Sequence, residues 1–198
     1  MRQPIALLIL APLLEKTYFT TKEARDLGVH PATLSHYVKT GHLKRIQRGL
    51  YQKIDYYNPS AFRWEDLVEA VYSVKGGVIC LISALAIYDL TEEIPRQHWI
   101  AIPHHTSTLA INNHKIIRYR NIELGKTEIM LEGAKIPIFD RERTIIDAFR
   151  LLSMETAIKA LKIAVSKGGK NKIDLIKLQS YAKKLRFNIT PYLITVTT

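Results

Sequence analysis

Apolar residues run unbroken from Ile5 to Ala11, and Pro12, Leu13 and Leu14 follow before Glu15-Lys16. The run is too short to span a bilayer and no small-x-small cleavage site follows it. Residues 3–15 therefore read as a packing helix that Pro12 bends or ends. Tyr18-Phe19 leads into Thr20-Thr21-Lys22-Glu23, and this T-x-x-E spacing is that of a capping box, with Phe19 placed as its hydrophobic staple. Ala24 and Leu27 are the inward positions of the helix that follows, and Gly28 is its end. Val29 is a plug in the turn. His30-Pro31 begins a second helix, with proline at the first helical position. Leu34 and Val38 share one face of that helix with Tyr37 beside them, and Gly41 closes it. Leu43 to Arg48 alternate, Gly49 turns the chain, and Leu50 to Lys53 return as a hairpin. Two short helices, a tight turn and a small hairpin are the outline of a winged helix-turn-helix.

The turn-rich stretch Asp55 to Ser60 is the expected boundary, giving one domain over 1–58 and a second over 59–198. In the second, Phe62, Leu67, Val71 and Val74 trace a helical stripe that Gly76-Gly77 stops. Ile79 to Leu90 is apolar almost throughout and reads as a single core helix. The period then changes. Gln97 to Ile102 reads as a strand ended by Pro103, and 109–119 as a strand broken by Asn112-Asn113. Residues 127–131 and 135–139 read as a hairpin across Glu132-Gly133. Asp140 caps a helix beginning at Arg141, with Ile145, Ile146, Ala148, Phe149 and Leu152 on its apolar face. Two more helices follow, at about 156–166 and 173–184, and the tail from Phe187 is β-like. The expected class is α+β: a winged helix-turn-helix, then a domain with a small, mostly antiparallel sheet and terminal helices.

Charge sharpens this picture. The net charge is +11, and a strongly basic protein usually meets a polyanion or an acidic partner. Residues 1–58 hold nine Lys and Arg against four Asp and Glu. A basic hairpin beside a helix with small, hydrogen-bonding side chains suits duplex DNA. Thr33, Ser35 and His36 are the candidates for base edges. Lys44, Arg45 and Arg48 of the hairpin are candidates for phosphates, and Lys22 and Lys39 complete the DNA-binding set. Cys80 is the single cysteine, which excludes an intramolecular disulfide. In its apolar run it reads as a buried small hydrophobe suited to a reducing, cytoplasmic setting.

Taken in order, the reader, then Leu81-Ile82-Ser83-Ala84-Leu85 through Tyr88, Leu90, Thr91 and Ile94-Pro95, then Arg143-Thr144 with Asp147, resembles the AbiEi antitoxin family of type IV toxin–antitoxin systems. The resemblance extends over nearly the whole chain and lies in the ordered set. It implies a winged-helix domain that binds operator DNA, with inverted repeats, and represses its own operon. It also implies an α+β domain that counters a toxin with a nucleotidyltransferase fold, a functional partner whether or not the two proteins touch. The reader helix departs from the pattern: His36-Tyr37 stands where an Arg or Lys is expected.

Other chemistry is weaker. His104-His105 with His114 match no common zinc spacing, so no metal is expected. Asp89, Glu92 and Glu93 sit at a helix end, where solvated charge is the usual explanation. No Gly-rich phosphate loop and no G-x-S-x-G elbow occurs. The chain is expected to be neither an enzyme nor a cofactor binder, and no membrane is among its expected partners. Arg143 and Asp147 are four apart, the spacing of a helix-surface ion pair. With Lys159 and Lys162 of the lysine-rich end, they form the candidate partner or antitoxic surface. The competing reading keeps the DNA-binding domain but makes the second domain a ligand sensor or a nuclease.

Overall fold

The computed structural model describes residues 5–54, 64–106, 114–169 and 172–197. The chain divides into two compact units, one of residues 1–73 with 130–136, the other of 74–129 with 137–198. The expected boundary at 58/59 lies outside the described residues, as do positions 109–113 of the interrupted strand.

The first unit begins with helix α1 (Ile5–Leu14), which contains Pro12 and continues for two residues past it. A short strand β1 (Phe19–Thr20) precedes α2 (Thr21–Asp26) and α3 (Pro31–Lys39). Strands β2 (Leu43–Gln47) and β3 (Leu50–Lys53) form the hairpin, and β1 adds to it in the order β1-β3-β2. Phe19 pairs with Tyr51 and Thr20 with Leu50. Helix α4 (Glu65–Ser73) closes the unit and buries Leu67, Val68, Ala70 and Val71. The small core gathers Leu10 and Leu13 of α1, Phe19, Ala24, Val29, Leu34, Tyr37, Leu43 and Tyr51. Truncating one such side chain, Leu34 for example, costs about 2–5 kcal/mol. Leu27 is not in that core. It is the C-cap of α2 and 40% exposed, because a six-residue helix ends before that position turns inward.

The second unit is built on a five-stranded sheet. Its strands are β4 (Val78–Ile79), β5 (His98–Pro103), β6 (His114–Tyr119), β7 (Lys126–Leu131) and β8 (Ala134–Phe139). The order is β6-β5-β4-β8-β7, and the tip of the β7–β8 hairpin, 130–136, groups with the first unit. Glu132 and Gly133 both have positive φ at the hairpin turn, as a two-residue primed turn demands. The α+β class stands, and antiparallel pairing rules the smaller sheet throughout. The larger sheet is mixed: β4 runs antiparallel to β5, but β5 pairs with β6, and β4 with β8, in parallel.

Two sequence expectations give way here. Ile79 to Leu90 is not one helix. Val78-Ile79 form the central strand, Cys80 is an N-cap without a side-chain hydrogen bond, and α5 (Leu81–Ile87) follows. Val78 to Ala86 are all buried, so the apolar pattern is continuous across a strand and a helix. The residues after Phe187 form a helix, α9 (Thr190–Thr197), and not a strand. The Asn188 side chain accepts from the Thr190 N–H at its start, and Phe149 stacks with Phe187 and Tyr192 at 5.6 and 4.6 Å. Aromatic packing thus overrides the β propensity of the Thr- and Ile-containing tail. Helices α6 (Arg141–Leu151), α7 (Met154–Ser166) and α8 (Leu175–Lys184) complete the unit. Ile145, Ile146, Leu161 and Leu178 join Leu85 and Leu90 in its core.

Candidate nucleic-acid interface

Local sequence positions α2, α3 and the hairpin. The Thr20 hydroxyl accepts from the Glu23 N–H at 3.2 Å, and the Glu23 carboxylate accepts from the Thr20 N–H at 2.7 Å. Lys16 adds an ion pair to Glu23 at 2.8 Å. Burial pushes the Glu23 carboxyl upward, but Lys16 and Thr20 outweigh it and hold the group below the usual carboxylate range. Gly28 takes a φ of +85° at the turn, a conformation only glycine adopts without cost. His30 Nδ1 then accepts from the Ala32 N–H and caps α3, with Pro31 at the first helical position. At the other end, the His42 N–H donates to the Tyr37 carbonyl and leads the chain into β2.

Helix α3 is amphipathic in the required sense. Leu34 and Tyr37 are buried and Val38 half-buried, while Ala32, Ser35, His36 and Lys39 are exposed and Thr33 is half-buried. The Ser35 hydroxyl donates to the Pro31 carbonyl at 3.3 Å, so its lone pairs remain available to a donor. The His36 ring stands 5.8 Å from that of Tyr37, tilted to it by 52°. Lys22 is exposed in the first turn of α2. A helix of nine residues with an apolar back and this polar front has the size and chemistry that fit a major groove.

The hairpin is tied to the helices at its tip. The Thr21 N–H donates to the Gly49 carbonyl at 2.8 Å. Gly49 has φ +86°, and a Cβ there would meet Thr21 Oγ1 at 3.4 Å. The register shifts between Arg45 and Gln47, a bulge that increases the local twist. Lys44, Arg45 and Arg48 are all exposed. Lys44 is not idle: its Nζ lies 2.9 Å from Glu69 Oε1 of α4. A phosphate would have to compete with that carboxylate. Glu69 is 25 residues from Lys44, and no spacing rule could have found it.

The candidate partner surface divides differently. Arg143 and Asp147 are not on a surface at all; each side chain is 1% exposed. Arg143 Nε donates to Asp147 Oδ2 at 2.6 Å, and its Nη1 donates to the carbonyls of Asn121 and Leu124 at 3.1 and 2.8 Å. Arg150 Nη1 reaches the other carboxylate oxygen at 3.0 Å. Thr144 is buried too and donates to the Phe139 carbonyl. An i, i+4 pair reads the same in sequence on an outer or an inner helix face, and the packing of β8 and the 121–125 loop over α6 makes this face inner. Gly125 is part of that closure: with φ +73°, it lies where a Cβ would come within 2.5 Å of Arg143 Cβ. Burial pushes the Asp147 carboxyl up, against the pull of its two guanidinium partners. Lys159 and Lys162 are exposed. They line a cleft of about 460 Å³ with Thr91, Glu92, Glu93 and Thr156, and Lys159 pairs with Glu155 at 2.6 Å. Among the described residues the structure therefore gathers the α3 and hairpin candidates in one unit, and separates Arg143 and Asp147 from Lys159 and Lys162 by burial.

Residues 9–52 match a family described as transcriptional regulator, AbiEi antitoxin. The match runs from α1 through β3, over the capping box, the turn, α3 and the hairpin. The resemblance to the AbiEi antitoxins holds for this stretch. No curated protein matches the chain. No described helix is long and apolar enough to cross a membrane.

Proposed function

We propose that this chain, whose residues 9–52 match a family described as transcriptional regulator, AbiEi antitoxin, is a winged helix-turn-helix autorepressor and a type IV antitoxin. The observation that carries the reading is the polar front of α3 beside an exposed basic hairpin, both inside the matched stretch. In this reading Thr33, Ser35 and His36 meet base edges. Arg45, Arg48, Lys22 and Lys39 meet phosphates, and Lys44 joins them by leaving Glu69. The second unit counters a nucleotidyltransferase-like toxin in the cytoplasm, without catalysis of its own.

Phosphate contacts give affinity and salt dependence, and base contacts give discrimination. The test is a titration against the DNA upstream of the gene, beside a scrambled duplex of equal length, at two salt concentrations. Preference for the upstream duplex that persists at the higher salt is the expected result. Equal, salt-fragile binding to both duplexes overturns the repressor. For the antitoxin, the protein is co-expressed with the nucleotidyltransferase-like product of an adjacent reading frame, and relief of growth arrest is expected. Metal-dependent cutting of DNA by the purified chain would instead decide for the nuclease reading.

A further inference from the structure

The second unit concentrates positive charge that the DNA reading does not use. Three segments end together around a cleft of about 380 Å³. Strand β6 and the residue after it bring Arg118 and Arg120, the end of α6 brings Arg150, and the end of α8 brings Lys184 and Arg186. All five are exposed. Among the described residues, Arg118, Arg120, Lys184 and Arg186 make no ion pair. Among the described residues no carboxylate lines the cleft. Asp147 lies beneath it, but it holds both Arg143 and Arg150, so those three groups leave one positive charge over.

Cations at the ends of α6 and α8 have a simple use, which is to offset the carbonyl ends of two helices. That use is too small to account for them. Each helix end amounts to roughly half a negative charge, so two ends offset about one of the five positive charges that remain. An unneutralised positive wall around a concavity concentrates anions. Four of the five exposed cations are arginines, whose planar forks hold phosphate oxygens in pairs. The rest of the lining is mixed: Ile117, Leu151 and Leu185 give apolar surface beside His104, Tyr119 and Asn121, and Leu151 is 47% exposed. The volume falls in the range of small-molecule sites, at about 300–1,000 Å³. A duplex presents its phosphates on a convex surface, whereas a compact polyphosphate with an attached ring fills a concave one.

We propose that this cleft binds a nucleoside di- or triphosphate. The phosphates lie among Arg118, Arg120, Lys184 and Arg186, and the sugar and base lie against Ile117, Leu151 and Leu185. Asp147, whose other oxygen accepts from the buried Arg143, is the floor that holds Arg150.

The experiment is isothermal titration of the full chain with ATP, GTP, pyrophosphate and adenosine at low salt. It is repeated for Arg120→Gln with Arg186→Gln, two exposed residues outside every described ion pair. A second double variant, Lys75→Gln with Lys172→Gln, removes the same charge elsewhere on the second unit, and thermal unfolding verifies that both fold. Saturable binding of the triphosphates is expected, weaker binding of pyrophosphate, and none of adenosine. A charge-assisted contact is worth about tenfold or more in affinity, so the arginine double variant loses about a hundredfold and the lysine one stays near the native value. The proposal is overturned if the native chain binds none of the three anions saturably, or if both double variants lose affinity equally. It is also overturned if the arginine variant weakens only duplex DNA of any sequence, since the cleft is then a backbone-contact surface. Operator discrimination rests on α3 in the first unit, so failure of this proposal leaves that reading standing.

Discussion

In the first unit the small core is made only of apolar and aromatic residues, and the ion pairs described there, Lys16–Glu23 and Lys44–Glu69, are exposed. In the second, Arg143 and Asp147 are buried, and Arg143 Nε and Nη1 and both Asp147 carboxylate oxygens meet a side chain or a loop carbonyl. Exposed pairs contribute little to stability, about 0–1 kcal/mol each, and they are free to be exchanged for a ligand. A buried pair is costly to break from one side and cannot be exchanged. The contrast fits a division of labour in which the first unit keeps its chemistry available to a partner and the second uses a charge pair to fix its own loops.

Breaking the buried pair tests this most severely. Asp147→Ala strands the buried Arg143 guanidinium and should cost about 3–5 kcal/mol in the stability of the second unit, measured by thermal unfolding. Replacing both partners, Arg143→Met with Asp147→Leu, should recover much of that loss. An Asp147→Ala protein as stable as the native one would mean that the pair is not what holds the 121–125 loop. In the first unit the comparable blow is a cavity: Leu34→Ala should cost about 2–5 kcal/mol and abolish operator binding.

Surface changes in the first unit should alter recognition and spare the fold. Thr33→Ala and His36→Ala should each relax operator discrimination by about 1–3 kcal/mol without moving the melting temperature. Operator preference unchanged in both would remove α3 as the reading helix. The capping box is worth less. Thr20→Ala should cost about 1 kcal/mol. The folded-state carboxyl of Glu23 is depressed, so its contribution is present above the unfolded value of about 4.3 and is lost as pH falls through the folded value. Glu23→Gln should therefore be less stable than the native chain at pH 7 and nearly equal to it in strong acid, by unfolding at both pH values. The smallest effects concern Lys44: Glu69→Gln removes its competing carboxylate and should raise operator affinity, and Lys44→Gln should flatten the slope of log affinity against log salt by about 0.9. An unchanged slope would mean that Lys44 makes no phosphate contact.

The first unit was largely legible because its instructions are local. A capping box, a glycine at positive φ, a proline at a helix start and a glycine hairpin each act within four residues of chain, and each is found where the sequence puts it. Even there, Leu27 and the Lys44–Glu69 pair escaped, the first because a helix stopped short, the second because its partner is distant in sequence. The second unit was legible in its elements from β5 to α8. It was not legible where a fully buried strand and helix share one apolar run, or where a β-rich tail is held helical by aromatic stacking.

The sequence by itself determined the reader: its caps, its turn, the polar front of α3 and the basic hairpin follow from short-range hydrogen bonding and backbone conformation. Tertiary structure alone decided the fate of Arg143 and Asp147. Four residues of separation bring the two side chains together on any helix, but whether they meet water or a loop carbonyl depends on which face the rest of the chain covers. It also decided the arginine-lined cleft, whose residues lie along three segments from 118 to 186 and acquire a common electrostatic field only once the ends of β6, α6 and α8 are packed side by side.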